Sequence, residues 1–263
     1  MPSTRSCAAC WPERRSTNAR KGCSPLASPW GARPKALFQL DGAEWVIKFA
    51  EEDRPEEPLI EHAAMTLAAT AGITVAETRP IPVGKSVAVA VRRFDRIAGQ
   101  RLHALSANVA LKAAGVELSY PELALILRRR GATKLNQQQM RELFRRLVFN
   151  ILIDNTDDHE KNHVLLVGPG QHYSLAPAFA VLPCGQSLAY QALTVGERGA
   201  ESSIDNALTS CAQYWLTLQE ARLEVRHVAR VIDGWREHFA AKGVSSAAIE
   251  ELAHHIDRPF LRE

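Results

Sequence analysis

DNTDDHEKNHVLLV, Asp154 to Val167, sets a run of charge between two apolar segments. Upstream, Met140, Leu143, Phe144, Leu147, Val148, Ile151 and Leu152 recur at helical spacing, and Phe149 and Ile153 widen that stripe. The pattern predicts a helix whose last turns are buried nearly all round. Downstream, HVLLV, the turn GPGQ and HYSLA predict a short hairpin over 163–176. Three aspartates, two histidines, a lysine and two asparagines therefore sit on one short loop leaving a rigid helix. Such a loop can hold polar groups in a fixed geometry.

Outward from this loop the chain divides in two. KALFQL, a turn at Asp41-Gly42 and EWVIKFA predict a β-hairpin. An acidic stretch (Glu51, Glu52, Asp53, Glu56, Glu57) reads as a solvated loop. Leu59, Ile60, Ala63, Ala64, Leu67, Ala68 and Ala71 then predict a helix of about 14 residues, stopped by Gly72. ITVAETR and SVAVAVRRF read as two more strands. Beyond about residue 103 the pattern is mainly helical. Thr217 and Glu220 form a capping box opening a long helix, with Val225, Val228, Ala229, Ile232, Trp235 and Phe239 on its apolar face and Gly243 at its end. A short helix from about Ser245 closes the chain, and no internal repeat is visible.

The length, 263 residues at 46% hydrophobic content, allows a sizeable core. Residues 1–35 hold seven Lys/Arg against one acid, a net of +6, which leaves −3 for the rest of a chain whose total is +3. Nucleic-acid binding by the folded body is therefore not indicated. Residues 1–30 show no apolar period and read as disordered. Cys7-x-x-Cys10 is half a zinc motif with no second pair at ligand spacing, and an odd count of five cysteines argues against a disulfide framework. The chain lacks an apolar run of about 18 residues and a signal-peptide core, so the expected location is cytoplasmic, without a membrane partner.

Asp157 and Asn162 have the spacing Asp-x4-Asn. Protein kinases use this spacing in the catalytic loop, where the Asp accepts the proton of the substrate hydroxyl and the Asn holds magnesium. Alone the motif is common by chance, but here a hairpin follows it directly. Upstream, WVIK puts Lys48 on a strand, as in the kinase lysine that meets the nucleotide phosphates. Glu61, on the helix of the small lobe, is the candidate ion-pair partner. SPWGARPK, Ser28 to Lys35, stands where a phosphate-covering loop belongs.

Taken together, GARPKA, WVIKF, VRRFDR, RLHALSA, FNILIDNTDDHEKNH and LAPAFAVLP resemble the HipA-like serine/threonine kinases of bacterial toxin–antitoxin modules. The matches follow the family's order over roughly residues 26–185 and extend more loosely into the C-terminal helices. The resemblance implies an α+β, bilobal protein-kinase-like fold, with a small β-rich N-lobe and a mainly α-helical C-lobe. The division expected is an irregular segment 1–28, an N-lobe 29–100 and a C-lobe 101–263. ATP and Mg are the cofactors it implies. Asp157 would be the catalytic base, Asn162 a magnesium ligand and Lys48 a phosphate contact. Gly31, Ala32 and Lys35 would cover the phosphates. His159, Lys161 and Phe179 would shape the nucleotide pocket, and Arg92, Phe94 and Asp95 match the segment joining the lobes, where adenine and ribose are held. Ser28 stands near the serine that such kinases autophosphorylate, although Pro29 after it departs from the usual pattern. A protein substrate such as an aminoacyl-tRNA synthetase and a HipB-like DNA-binding antitoxin are the implied partners; no direct DNA binding is expected.

Two departures stand out. Longer family members carry a further N-terminal subdomain where this chain has about 28 patternless residues. The expectation is either a short form completed by a small companion chain or a truncated gene. The family also places a metal-binding Asp after the hairpin, where this chain has Ala178-Phe179-Ala180. Magnesium prefers carboxylates together with phosphate oxygens, so Asn162 alone is a poor anchor. Phosphotransfer is then expected to be impaired by roughly a hundredfold or more, the scale of one good electrostatic contact. The two readings are an impaired Ser/Thr kinase and a catalytically dead pseudokinase that binds antitoxin or nucleotide. Other residues have plainer readings: His103 as a packed or capping histidine, Asp154 and Asp158 as architectural, Arg128–Gly131 as a helix end, and His254-His255 without metal partners.

Overall fold

The computed structural model describes residues 24–25, 34–97, 99–132, 135–186 and 189–258. Of the segment 1–28 only Ser24–Pro25 fall inside the described residues, as a two-residue strand β1 paired with Leu37 and Ala36. Ser28, Gly31, Ala32, Cys7, Cys10 and Cys23 lie outside them.

Strands β2 (Lys35–Leu40) and β3 (Ala43–Lys48) pair in full antiparallel register. Asp41 and Gly42 join them with φ of 52° and 73°, the pair of positive values that a two-residue hairpin needs to match strand twist. Helix α1 (Glu57–Thr70) follows. Gly72 ends it at φ +75°, where a side chain would also meet Arg145 at 2.8 Å. Strands β4 (Thr78–Val83) and β5 (Ser86–Arg92) complete an antiparallel sheet in the order β1-β2-β3-β5-β4.

The strand expected over ITVAETR thus sits further on, and it contains Pro80 and Pro82. Both are tolerated because β4 is the sheet's edge, where the missing N–H groups face away from β5. The acidic loop also differs from its expected solvated state. Glu57 is buried at the start of α1, and Glu56 accepts the backbone N–H and hydroxyl of Ser245 at 2.8 and 2.6 Å.

A small ribbon, β6 (Arg96–Ile97) and β7 (Gln100–Arg101), leads to β8 (His103–Ser106). The helical body begins with α2 (Ala107–Ala114), α3 (Tyr120–Arg130) and α4 (Asn136–Leu152). Strands β9 (Val164–Val167) and β10 (Tyr173–Leu175) form the expected hairpin, and β8 adds a third strand to it. His103 therefore lies on an exposed strand and is neither packed nor a cap. The chain ends in α5 (Ile204–Thr209), α6 (Leu218–Ile232), α7 (Trp235–Ala241) and α8 (Ser246–Ile256).

The capping box at Thr217 and Glu220 is present, but the long helix expected after it is two helices, broken at Asp233-Gly234. The apolar stripe stays in phase across the break, so periodicity does not reveal it. Glycine disfavours helix by about 1 kcal/mol, and Trp235 is drawn instead to Asp257, whose Oδ1 accepts its indole N–H at 2.8 Å.

One core runs from α1 through α4, α6, α7 and α8, so the helix of the sheet lobe shares the core of the helical body. A second, smaller cluster of Trp45, Ile47, Ala88 and Ala90 lies on the sheet. Polar contacts reinforce the shared helix. Thr66 Oγ1 meets His238 Nε2 at 2.8 Å, and Arg145 and His227 donate to the carbonyls of Gly72 and Ala71 at 2.7 and 3.1 Å. His62, on α1, meets Thr78 Oγ1 at 2.8 Å. Among the described residues no helix is long and apolar enough to cross a membrane.

Burial, and then the positive charge of Lys242, hold both His62 and His238 below the ordinary histidine value of 6.5. A depressed histidine binds its proton less readily folded than unfolded, so its contribution is full above pH 6.5 and is lost as pH falls below it. Thermal unfolding should show the midpoint dropping between pH 7.5 and 5.5. The drop should shrink in His62→Gln/His238→Gln; an undiminished drop in that variant removes these two groups as its cause.

Candidate functional site

The site begins with the end of α4. Leu147 through Ile153 are buried, so the helix cannot shift without disturbing the core. The chain leaves it through Asp154, at φ +60°. Two neighbouring aspartates then take opposite roles.

Asp158 is 2% exposed, and its Oδ2 accepts three hydrogen bonds: from the Tyr120 hydroxyl, from Asn150 Nδ2 at 2.8 Å and from His163 Nε2 at 2.8 Å. Asn155 extends the network by donating to Asn150 Oδ1 at 3.0 Å. Burial disfavours the Asp158 charge, but His163 and the donors outweigh it and hold the carboxyl below its usual range. Burial and the Asp158 charge push the Tyr120 hydroxyl well above its usual range, so it stays a donor.

Asp157 faces the other way and is exposed. Its backbone is tied down while its carboxylate is not buried. Its N–H reaches Cys184 Sγ at 3.3 Å, and its carbonyl accepts from Asn162 Nδ2 at 3.3 Å and from the His159 N–H at 2.9 Å.

The opposite wall comes from the sheet and α1. Lys48 Nζ donates to Glu61, which is 1% exposed, and to the Phe179 carbonyl at 3.1 Å. The lysine is thereby held at the junction of sheet, helix and loop. Between the walls lies a cleft of about 780 Å³. It brings together Lys35, Lys48, Glu61, Asp157, His159, Asn162 and Ala180.

The structure does not bring Arg92, Phe94, Asp95, Lys161 or Phe179 to the cleft wall. Arg92 is exposed on the sheet and pairs with Glu77 at 3.1 Å. Asp95 is pinned by Arg93 and Arg96, at 2.7 and 2.6 Å, and the Arg93 hydrogen bond holds its carboxyl low. The Phe179 ring packs on Phe94, with centroids 5.4 Å apart. Lys161 is exposed on the loop.

Sequence reading missed Arg54, Glu57, Cys184, Gln186, Tyr190 and Gln191, all of which line the cleft. The last four come from an irregular segment without periodicity, so no local signal marks them. Arg54 and Glu57 were hidden in the acidic run.

Asn162 and Ala180 both line the cleft, yet Ala180 offers no side-chain oxygen. Among the described residues no group of three or more His, Cys, Asp or Glu could hold a metal ion. The donor set does not fit the two-ligand magnesium site that the resemblance implies.

The family profile of the HipA-like C-terminal domain matches residues 27–242. No curated protein matches the chain in sequence. Among solved structures, HipA of Shewanella oneidensis MR-1, in a complex with HipB and operator DNA, superposes with a TM-score of 0.68 at 18% identity. That match covers 96% of this chain and 67% of the other. The proinflammatory kinase CtkA of Helicobacter pylori superposes at 0.56 and 13% identity, covering 89% and 91%. These likenesses show the fold: α+β, bilobal and kinase-like.

The two aspartates should separate in stability. Asp158→Ala strands three buried partners and should cost about 3–5 kcal/mol, read as a lower urea midpoint. Asp157→Ala keeps every backbone contact and should stay within about 0.5 kcal/mol of the parent. Equal costs for the two would show that the assignment of roles is wrong.

Proposed function

Because the chain belongs to the HipA-like C-terminal domain family, we propose that the cleft is a nucleotide site of protein serine/threonine kinase type, impaired by Ala180. The observation that carries this reading is the Lys48–Glu61 pair opening onto the same cleft as Asp157 and Asn162. Phosphoryl transfer is mainly positioning and charge stabilisation. Lys48, with Lys35 and Arg54, supplies positive charge for ATP phosphates. Asp157, exposed on a backbone fixed from both sides, accepts the proton of a protein Ser or Thr hydroxyl. Gly31 and Ala32 enter the proposal as the backbone covering the phosphates, Ser28 as the modified serine, and His159 as part of the pocket edge.

Magnesium would supply charge neutralisation at the phosphates, with Asn162 as the one residue of the implied pair that could hold it. Ala180 provides no second ligand. This is the reason to expect slow transfer. It also favours a second reading, in which the cleft binds nucleotide or an antitoxin without turnover. The HipA neighbour is seen with HipB and operator DNA; a HipB-like antitoxin is accordingly the proposed partner, together with a small companion chain. A protein substrate such as an aminoacyl-tRNA synthetase follows from family resemblance; a cytoplasmic setting is proposed from the sequence pattern.

Labelling with ATP carrying a radioactive γ-phosphate tests both readings. Ala180→Asp should raise autophosphorylation by roughly a hundredfold, and adding Asp157→Asn should abolish the gain. Equal labelling of the parent and Ala180→Asp sinks the missing-ligand argument. Binding of a fluorescent ATP analogue that survives in the parent, is lost in Lys48→Met and comes with no labelling in any variant selects the binding-module reading.

A further inference from the structure

Asp154 takes no part in the proposed chemistry, yet it is the most thoroughly enclosed of the three aspartates, at 0% exposure. It also holds a backbone conformation, φ +60°, that residues other than glycine rarely adopt. A buried carboxylate persists only where it is paired and hydrogen-bonded. Two contacts reach the Asp154 carboxylate, and a third holds its backbone. The Asp154 carbonyl accepts the Cys184 N–H at 2.8 Å. Its Oδ2 accepts the Gln186 N–H at 3.2 Å. Its Oδ1 lies 3.3 Å from Arg258 Nη2, an ion-pair contact rather than an aligned hydrogen bond.

Arg258 lies just beyond α8, 107 residues along the chain from Ile151. Its side chain is 11% exposed, and the same Nη2 donates to the Ile151 carbonyl at 3.0 Å. One guanidinium thus grips the last turn of α4 and the first residue of the loop together. From Asp154 the contacts continue into the cleft. Cys184 and Gln186 are part of its wall, and Cys184 Sγ accepts the N–H of Asp157 at 3.3 Å.

We infer that Arg258 is a positioning residue for the candidate active site. Through Asp154 it fixes the wall at 184–186 and, through Cys184, the backbone of Asp157. The inference deepens the kinase-type reading and rests on it for the role of Asp157. The junction itself can be read without any nucleotide. A simpler role, closing α8 onto α4 for stability alone, predicts a different pattern of response.

Amide hydrogen exchange on the full chain separates the two, comparing the parent with Arg258→Met and Arg258→Lys. In Arg258→Met the peptides carrying Cys184, Gln186 and Asp157 should exchange roughly tenfold to a hundredfold faster, the scale of one lost hydrogen bond to a charged group. The strands β3 and β5 should not change. Arg258→Lys, which keeps a charge within reach of Asp154, should restore most of the protection, and affinity for a fluorescent ATP analogue should fall and recover in parallel. Asp154→Asn, used if Arg258→Met does not fold, should loosen the same peptides, and Arg258→Lys should no longer differ from the parent in that background. Unchanged exchange at 184–186, or acceleration spread evenly over the helical body, overturns the inference. Local loosening with Lys rescue, in a protein that binds no nucleotide in any form, upholds the junction and instead removes the nucleotide reading.

Discussion

A carboxylate placed in an apolar core dictates its surroundings. Asp158 cannot be left without donors, because an unpaired buried charge costs several kcal/mol. Its three donors come from three elements: Tyr120 from the first turn of α3, Asn150 from α4 and His163 from the entry to β9. The loop between α4 and β9 is therefore drawn inward at one residue. Its neighbour must point elsewhere, and in this fold elsewhere is the cleft. The exposed position of Asp157 is a consequence of the buried position of Asp158. The Tyr120 and His163 rings also pack edge to face, with centroids 5.1 Å apart, so the same groups fill space and supply donors.

The second constraint is that α1 belongs to two units at once. Its alanines pack into the core of the helical body while its Glu61 reaches Lys48 on the sheet. Small side chains allow that close approach, and the contacts from Thr66, Gly72 and Ala71 to the helical body fix it further. The lysine that points into the cleft is thus positioned by the body opposite it as much as by its own strand. The cleft is lined by cations and carboxylates from the sheet side (Lys35, Lys48, Arg54, Glu51, Glu57, Glu61) and by Asp157 with neutral polar groups from the other.

Much of this was legible in the sequence where the deciding interaction was local. The Asp41-Gly42 hairpin, the 14-residue α1, the apolar face of α4 and the Thr217 capping box each depend on residues a few positions apart. Lys48 with Glu61 was legible through the likeness to the kinase lysine on its strand and the acid on the helix of the same lobe. What escaped depends on tertiary placement. Pro80 and Pro82 fit a strand only because β4 is an edge. Gly234 breaks a helix whose stripe runs on in phase, since Trp235 finds Asp257. Arg92 pairs with Glu77 and Asp95 with Arg93 and Arg96, partners that the sequence pattern around them does not single out. Nothing near Arg258 in sequence marks its approach to Asp154.

The groups around the cleft differ in what folding asks of them, and this bears on Ala180. Glu61, Asp154 and Asp158 are buried and paired, so losing any of them leaves an uncompensated partner in the interior. They would stay in place whether or not the cleft does chemistry, and their presence is weak testimony of function. Position 180 is the reverse case. A carboxylate there would share the cleft with Asp157, and like charges in one site disfavour each other; alanine adds no such charge. Asp157 is the discriminating residue, since its carboxylate is exposed and its structural contacts are all made by its backbone. Folding would accept alanine at 157 as readily as at 180. The cleft nevertheless has a carboxylate at one position and a methyl group at the other, which is the arrangement that the proposed kinase-type reading requires of an impaired site.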